Sequence, residues 1–113
     1  MQRTPYIEMA IEDISKTDER VRIVGVCVYV DKAEKYIVVD DRTGHIKVNL
    51  REGIENLEDL MSKTVRVLGA VITYPDTGKL EIGADLLQKF PVIFEKFLAV
   101  RQIERLTFAR SEI

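Results

Sequence analysis

The chain has 113 residues, a formal net charge of −2 at pH 7, 46% hydrophobic residues and 32% charged ones. That length fits one domain, the apolar share can build a core, and the charge balance excludes a protein that coats duplex nucleic acid by charge alone. A single cysteine, Cys27, excludes a disulfide framework and a thiolate metal cluster, and no run approaches the ~20 apolar residues of a membrane span.

The opening residues carry acids early and no apolar run, so no signal peptide is expected. The expected compartment is the cytoplasm of a prokaryote or archaeon, or the nucleus of a eukaryote, and not a secreted location. In residues 1–20, Ile7, Ala10, Ile11 and Ile14 have helical spacing, yet they equally suit a short irregular strand. A loose segment packed on the body is expected there.

Residues 21–30, VRIVGVCVYV, are rich in β-branched side chains and contain no proline. They predict a strand buried on much of both faces. Gly25 in its middle suggests a bend or bulge. After a polar break at 31–34, residues 35–40 predict a second strand. Residues 41–44 predict a turn, with Gly44 the residue free to take positive φ. Residues 45–50 alternate cleanly, with Ile46, Val48 and Leu50 on one side and His45, Lys47 and Asn49 on the other. That is a half-buried third strand, paired in a hairpin with the second.

The period changes over 51–62, where Ile54, Leu57, Leu60 and Met61 mark one face of a short helix, and Glu52 and Glu55 suit its first turns. Residues 64–74 predict a fourth strand, again with an internal glycine, Gly69. A tight turn at 75–78 leads to a short fifth strand at 79–83. Five strands with a helix between the third and fourth give the order of the OB fold, a small Greek-key barrel. The expected class is therefore all-β with helices.

The last 29 residues differ in kind. All four phenylalanines fall there, at 90, 94, 97 and 108. Pro91 suits a first helical turn, which predicts a helix over 91–110, about 30 Å long. A separate helical turn is expected at 85–89. Leu86, Phe90, Ile93, Phe97 and Val100 step by 4, 3, 4, 3 as a heptad seam, with Phe94 and Leu98 on the same broad face. A barrel closed by 21–84 has little surface left to cover such a face. The expectation is that it bundles with helices of partner chains, and the competing expectation is that it folds back on its own barrel. Residues 1–84 are thus expected to be the barrel with its N-terminal segment, and 85–113 an oligomerisation helix.

OB barrels take single strands across their second and third strands, by stacking on aromatics and by phosphate contacts. Tyr36, Lys47 and Asn49 are the direct candidates on that outward face, and Lys35, Tyr74 and Lys79 extend it at the turns. Tyr29 suits either side, because Gly25 can switch the facing of its strand. No catalytic constellation, metal site or cofactor loop is apparent. His45 is the only histidine, Cys27 lies among valines, and Asp40 and Asp41 suit a hairpin turn better than a cation site. An enzyme is not expected.

The run Asp40-Asp41-Arg42-Thr43-Gly44 in a hairpin turn, on a barrel that ends in one long apolar helix, resembles replication protein A, and most of all its small subunit in archaeal-like form. The resemblance implies a heterotrimer that binds single-stranded DNA in replication, repair and recombination. It implies larger OB-fold subunits as partners, joined through a helical bundle whose seam would be residues 90–100. It also implies that this subunit touches single-stranded DNA through the complex, and weakly if at all alone. The alternatives are a self-associating adaptor for a protein partner and an RNA- or tRNA-binding module.

Overall fold

The computed structural model describes residues 5–51, 59–74, 76–90 and 94–99. Six strands follow one another: β1 (Ile7–Glu8), β2 (Arg20–Asp31), β3 (Tyr36–Asp40), β4 (His45–Asn49), β5 (Thr64–Thr73) and β6 (Leu80–Lys89). The long β2 serves two neighbours. Its first half, Arg20 to Val26, pairs antiparallel with β5, and its second half, Val26 to Asp31, pairs antiparallel with β3. β4 pairs antiparallel with β3 and parallel with β6, and β6 returns to β5, so five strands close into a barrel. Short β1 lies parallel on β2.

The alternation in the sequence decides which faces turn inward. Ile37, Val39, Ile46 and Val48 are buried, while Tyr36, Val38, His45, Lys47 and Asn49 between them are not. They join Val21, Ile23, Cys27, Val65, Val67, Val71 and Ile82 in the core. Each such side chain contributes on the order of 1.5–3 kcal/mol by leaving water.

The strand glycines sit where strands press together. A Cβ on Gly25 would lie 2.7 Å from the Asp40 carbonyl oxygen and from Val39 Cγ1. One on Gly69 would lie 2.8 Å from Ile82 Cγ2 and would run into the Gly83 carbonyl. Bulges accompany them, between Cys27 and Tyr29 and between Leu68 and Gly69. Bulges of this kind let a small barrel coil tightly enough to close.

The N-terminal segment is built in more firmly than its sequence suggests. Ala10, Ile11 and Ile14 are buried, and Ile11–Asp13 form one 3-10 turn. The anchor is Asp41, itself 2% exposed: Oδ2 accepts from the Ile11 amide at 2.8 Å, and Oδ1 accepts from the Thr43 amide at 2.9 Å and its hydroxyl at 2.6 Å. Tyr6 donates its hydroxyl to Asp85 at 2.7 Å, tying the segment to β6 as well. In the same hairpin turn, Arg42 takes the left-handed φ of +71°, whereas Gly44 takes none. The Asp40 carboxylate explains this, since it accepts from the Arg42 amide at 2.7 Å and holds the turn there.

The end of the barrel differs from expectation. β6 does not stop at residue 83 but runs to Lys89, so the helical turn expected at 85–89 is strand. The ladder to β5 continues as Leu86↔Leu68, Leu87↔Val67, Gln88↔Arg66 and Lys89↔Val65, and the Phe90 amide then donates to the Thr64 carbonyl. Leu86 is accordingly a strand residue, 43% exposed, and not part of a helical seam.

The helix expected over 51–62 falls on 52–58 for the most part, outside the described residues. Of the long helix expected over 91–110, residues 94–99 are helical, and the rest lies outside the described residues. Ile93 and Val100 lie there too. Phe94 is 2% exposed within the single chain. The Arg42 guanidinium lies 5.7 Å from its ring centre, the Phe97 ring stacks at 6.1 Å, and Arg42 pairs with Glu95 at 2.7 Å. For this stretch the fold-back expectation holds: the helix start docks on its own β3–β4 turn. Phe90 meets Phe97 edge-on at 5.6 Å, and Phe97 and Leu98 stay partly exposed. Among the described residues, no helix is long and apolar enough to cross a membrane.

Candidate nucleic-acid interface

The outward face of β3 and β4 carries three cross-strand pairs: Tyr36 with Asn49, Val38 with Lys47, and Asp40 with His45. Lys47 Nζ lies 4.3 Å from the ring centre of Tyr36 and 5.8 Å from that of Tyr74. A cation between two ring faces gains from both quadrupoles. The β2 bulge settles the facing of Tyr29. Cys27 points into the core, the extra residue Val28 breaks the alternation, and Tyr29 emerges 48% exposed. Its ring lies 5.8 Å from Tyr36 at a 34° tilt. Burial, and after it Tyr29, pushes the Tyr36 hydroxyl pKa up.

Beside these rings a groove of about 700 Å³ separates the β3–β4 face from the β5–β6 hairpin. Val38, His45, Lys47, Tyr74, Lys79 and Glu81 line it. The hairpin turn places Tyr74 and Lys79 at its rim. The Tyr74 amide donates to the Lys79 carbonyl at 3.0 Å, the Gly78 amide donates to the Tyr74 carbonyl at 2.9 Å, and Gly78 takes φ +68°.

Lys47, Tyr74 and Lys79 therefore meet at the groove, and Tyr36 joins them through Lys47. Asn49 faces outward, but its amide is engaged, donating to Glu81 Oε1 at 2.8 Å. Lys35 sits in the β2–β3 turn with φ +54°, exposed, and does not line the groove. Tyr29 and Glu81 complete the surface without having been nominated from the sequence. Glu81 follows Lys79 by two residues, the spacing that sets both on one side of an extended segment. For Tyr29 the deciding signal was the bulge, which no local pattern announces. Among the described residues no group of His, Cys, Asp and Glu is placed to hold a metal ion.

The sequence matches no protein-family model and no curated protein. Solved structures do match it. One chain of the S. pombe Stn1–Ten1 complex aligns with a TM-score of 0.61 at 17% identity, over 82% of this chain and 74% of that one. An OB domain from Methanosarcina mazei aligns at 0.59 and 15%, over 79% and 88%. The fold is an OB fold. A replication protein A heterotrimer bound to single-stranded DNA aligns at 0.52 and 19%, over 90% of this chain and 80% of the matched one. At these identities the likeness speaks for the OB architecture, and the groove lies on the β3–β4 face of that architecture.

Proposed function

We propose that this chain is an OB-fold subunit of a single-stranded-DNA-binding assembly, of the kind formed by the small subunit of replication protein A. In this reading it serves DNA replication, repair and recombination by binding, without catalysis of its own. It joins larger OB-fold subunits, as one member of a heterotrimer. The carrying observation is Lys47 between Tyr36 and Tyr74 at the rim of a groove that also holds Lys79. Rings offer stacking surfaces to bases, and the two ammonium groups meet phosphates. The two heteromeric structures with the same fold, one of them holding single-stranded DNA, support the reading.

Magnitudes favour a weak grip by this subunit alone. A base stacking on Tyr36 displaces Lys47 from that ring, forfeiting about 0.5–1 kcal/mol of cation–π attraction. Stacking returns about 1–3 kcal/mol per base. The net gain per ring is small, and the chain is net acidic. Affinity of the whole assembly then comes mainly from its larger members.

Assembly falls to the chain beyond β6. Phe94 is buried within the single chain with the Arg42 guanidinium over its ring, and the partly exposed Phe97 and Leu98 on the helix and Leu86 on β6 offer apolar surface for partners. The test compares tagged full chain with a chain ended after Phe90, a cut that spares β6, by capture from native extract and mass spectrometry. Recovery of OB-fold proteins by the full chain alone supports the reading. A stable homodimer that captures none contradicts it and favours the self-associating adaptor.

A further inference from the structure

Glu81 is the one acidic residue lining the groove, and it is 8% exposed. It lies on β6 opposite Ile72 of β5, next to Ile82, which pairs with Val48 of β4. Asn49 Nδ2 donates to Oε1 at 2.8 Å, which fixes the carboxylate plane. Among the described residues this is the one side-chain hydrogen bond the carboxylate accepts, and no buried side-chain polar atom there lacks a partner, so Oε2 opens to solvent, where a ligand can reach it. Lys47, Lys79 and Tyr74 share the groove with it. A nonspecific phosphate track has no use for a buried, oriented acceptor among its cations, because that acceptor repels the backbone. A site that reads base edges does.

Resting on the single-stranded-DNA reading above, we infer that Glu81 makes this groove select cytosine over thymine. Both pyrimidines stack on a ring face, thymine with an added 5-methyl group, and at their polar edges they differ at position 4 and N3. Cytosine presents an amino donor at position 4 beside an acceptor at N3. The donor suits the Glu81 carboxylate, and the neighbouring acceptors suit the Lys47 ammonium. Thymine presents a carbonyl at position 4, which sets two acceptors face to face in a partly dehydrated groove. Its one donor, N3–H, is flanked by two carbonyls, so turning it toward Glu81 brings acceptors to the carboxylate again. The bond from Asn49 holds the carboxylate against swinging away.

The test is an NMR titration of the full chain with short oligo-dC and oligo-dT of equal length at one salt concentration. The expected result is binding of oligo-dC about tenfold tighter than oligo-dT, the size of one good base-edge contact. Glu81→Gln keeps an oxygen for Asn49 and adds a donor for the thymine carbonyl, so it narrows the gap to within about twofold. A second probe leaves the protein unchanged: an oligonucleotide of 2-pyrimidinone, which lacks the amino group and also the thymine carbonyl, binds wild type more weakly than oligo-dC and more tightly than oligo-dT. Equal binding of dC and dT by wild type, or an undiminished preference in E81Q, overturns the inference and leaves the DNA reading standing. Binding of neither oligonucleotide at the concentrations NMR reaches overturns the inference and removes DNA contact by this subunit from the reading above, while its place in an assembly is decided by the capture experiment.

Discussion

The Ile11 amide donates to Asp41 Oδ2 at 2.8 Å across 30 residues of sequence. This bond seats the N-terminal segment on the β3–β4 turn. Asp41→Ala leaves the Ile11 amide and the Thr43 amide and hydroxyl without their acceptor. Losing the acceptor of buried donors costs about 1–3 kcal/mol each, less where water enters. The expected loss is about 2–4 kcal/mol of unfolding free energy, measured by urea denaturation. A loss below about 0.5 kcal/mol would mean that the segment is not anchored through Asp41.

The sequence sets Phe94 and Leu86 on one broad apolar face, and the structure separates them. Phe94→Ala should destabilise the isolated chain by about 2–4 kcal/mol, because its ring is buried within one molecule. Leu86→Ala should stay within about 0.5 kcal/mol, because Leu86 is exposed on β6. Arg42→Ala falls between them, at about 1 kcal/mol, since it loses an exposed ion pair and a cation–π contact. Thermal unfolding of the three variants checks the order. Equal, negligible effects would contradict the docking of residues 94–99.

Burial pushes the Cys27 thiol pKa up, partly offset by a backbone hydrogen bond with Tyr29. The folded chain therefore disfavours the thiolate relative to the unfolded chain. The stability that follows from this is full below the unfolded thiol pKa of ~8.5 and is lost as pH rises from there toward the folded value. Wild type should lose stability above that pH faster than Cys27→Ala. A thiol reagent should label Cys27 only under unfolding conditions. Rapid labelling of the native chain would contradict its place in the core.

Much of the barrel was legible in the sequence because burial on one face writes a period of two. Residues 36–40 and 45–49 show that pattern, and both strands are found there. Irregular strand geometry near Gly25 and Gly69 was legible for another reason, since a lone glycine in a β-branched run marks a bend or bulge, whereas the close approach of a neighbouring strand to each glycine was not. β6 beyond residue 83 was not legible. The bulge at Leu68 and Gly69 shifts its register, so 84–89 lose the alternation and resemble a helical turn. Arg42 in place of Gly44 at the left-handed position was hidden because the Asp40 side chain decides it. Tyr36, Lys47, Tyr74 and Lys79 could be named from the outward face of a hairpin and its neighbouring turn. Tyr29 depended on a bulge, and the docking of Phe94 depended on Arg42, half the chain away.

The most direct measurement of the central claim is amide chemical-shift mapping of the full chain with single-stranded DNA, repeated for Lys47→Glu. The account predicts shifts concentrated on Tyr29, Tyr36, Val38, Lys47, Tyr74 and Lys79, and about tenfold weaker binding for Lys47→Glu. Shifts centred instead on β1 and the outer faces of β5 and β6, or affinity unchanged in Lys47→Glu, would contradict it.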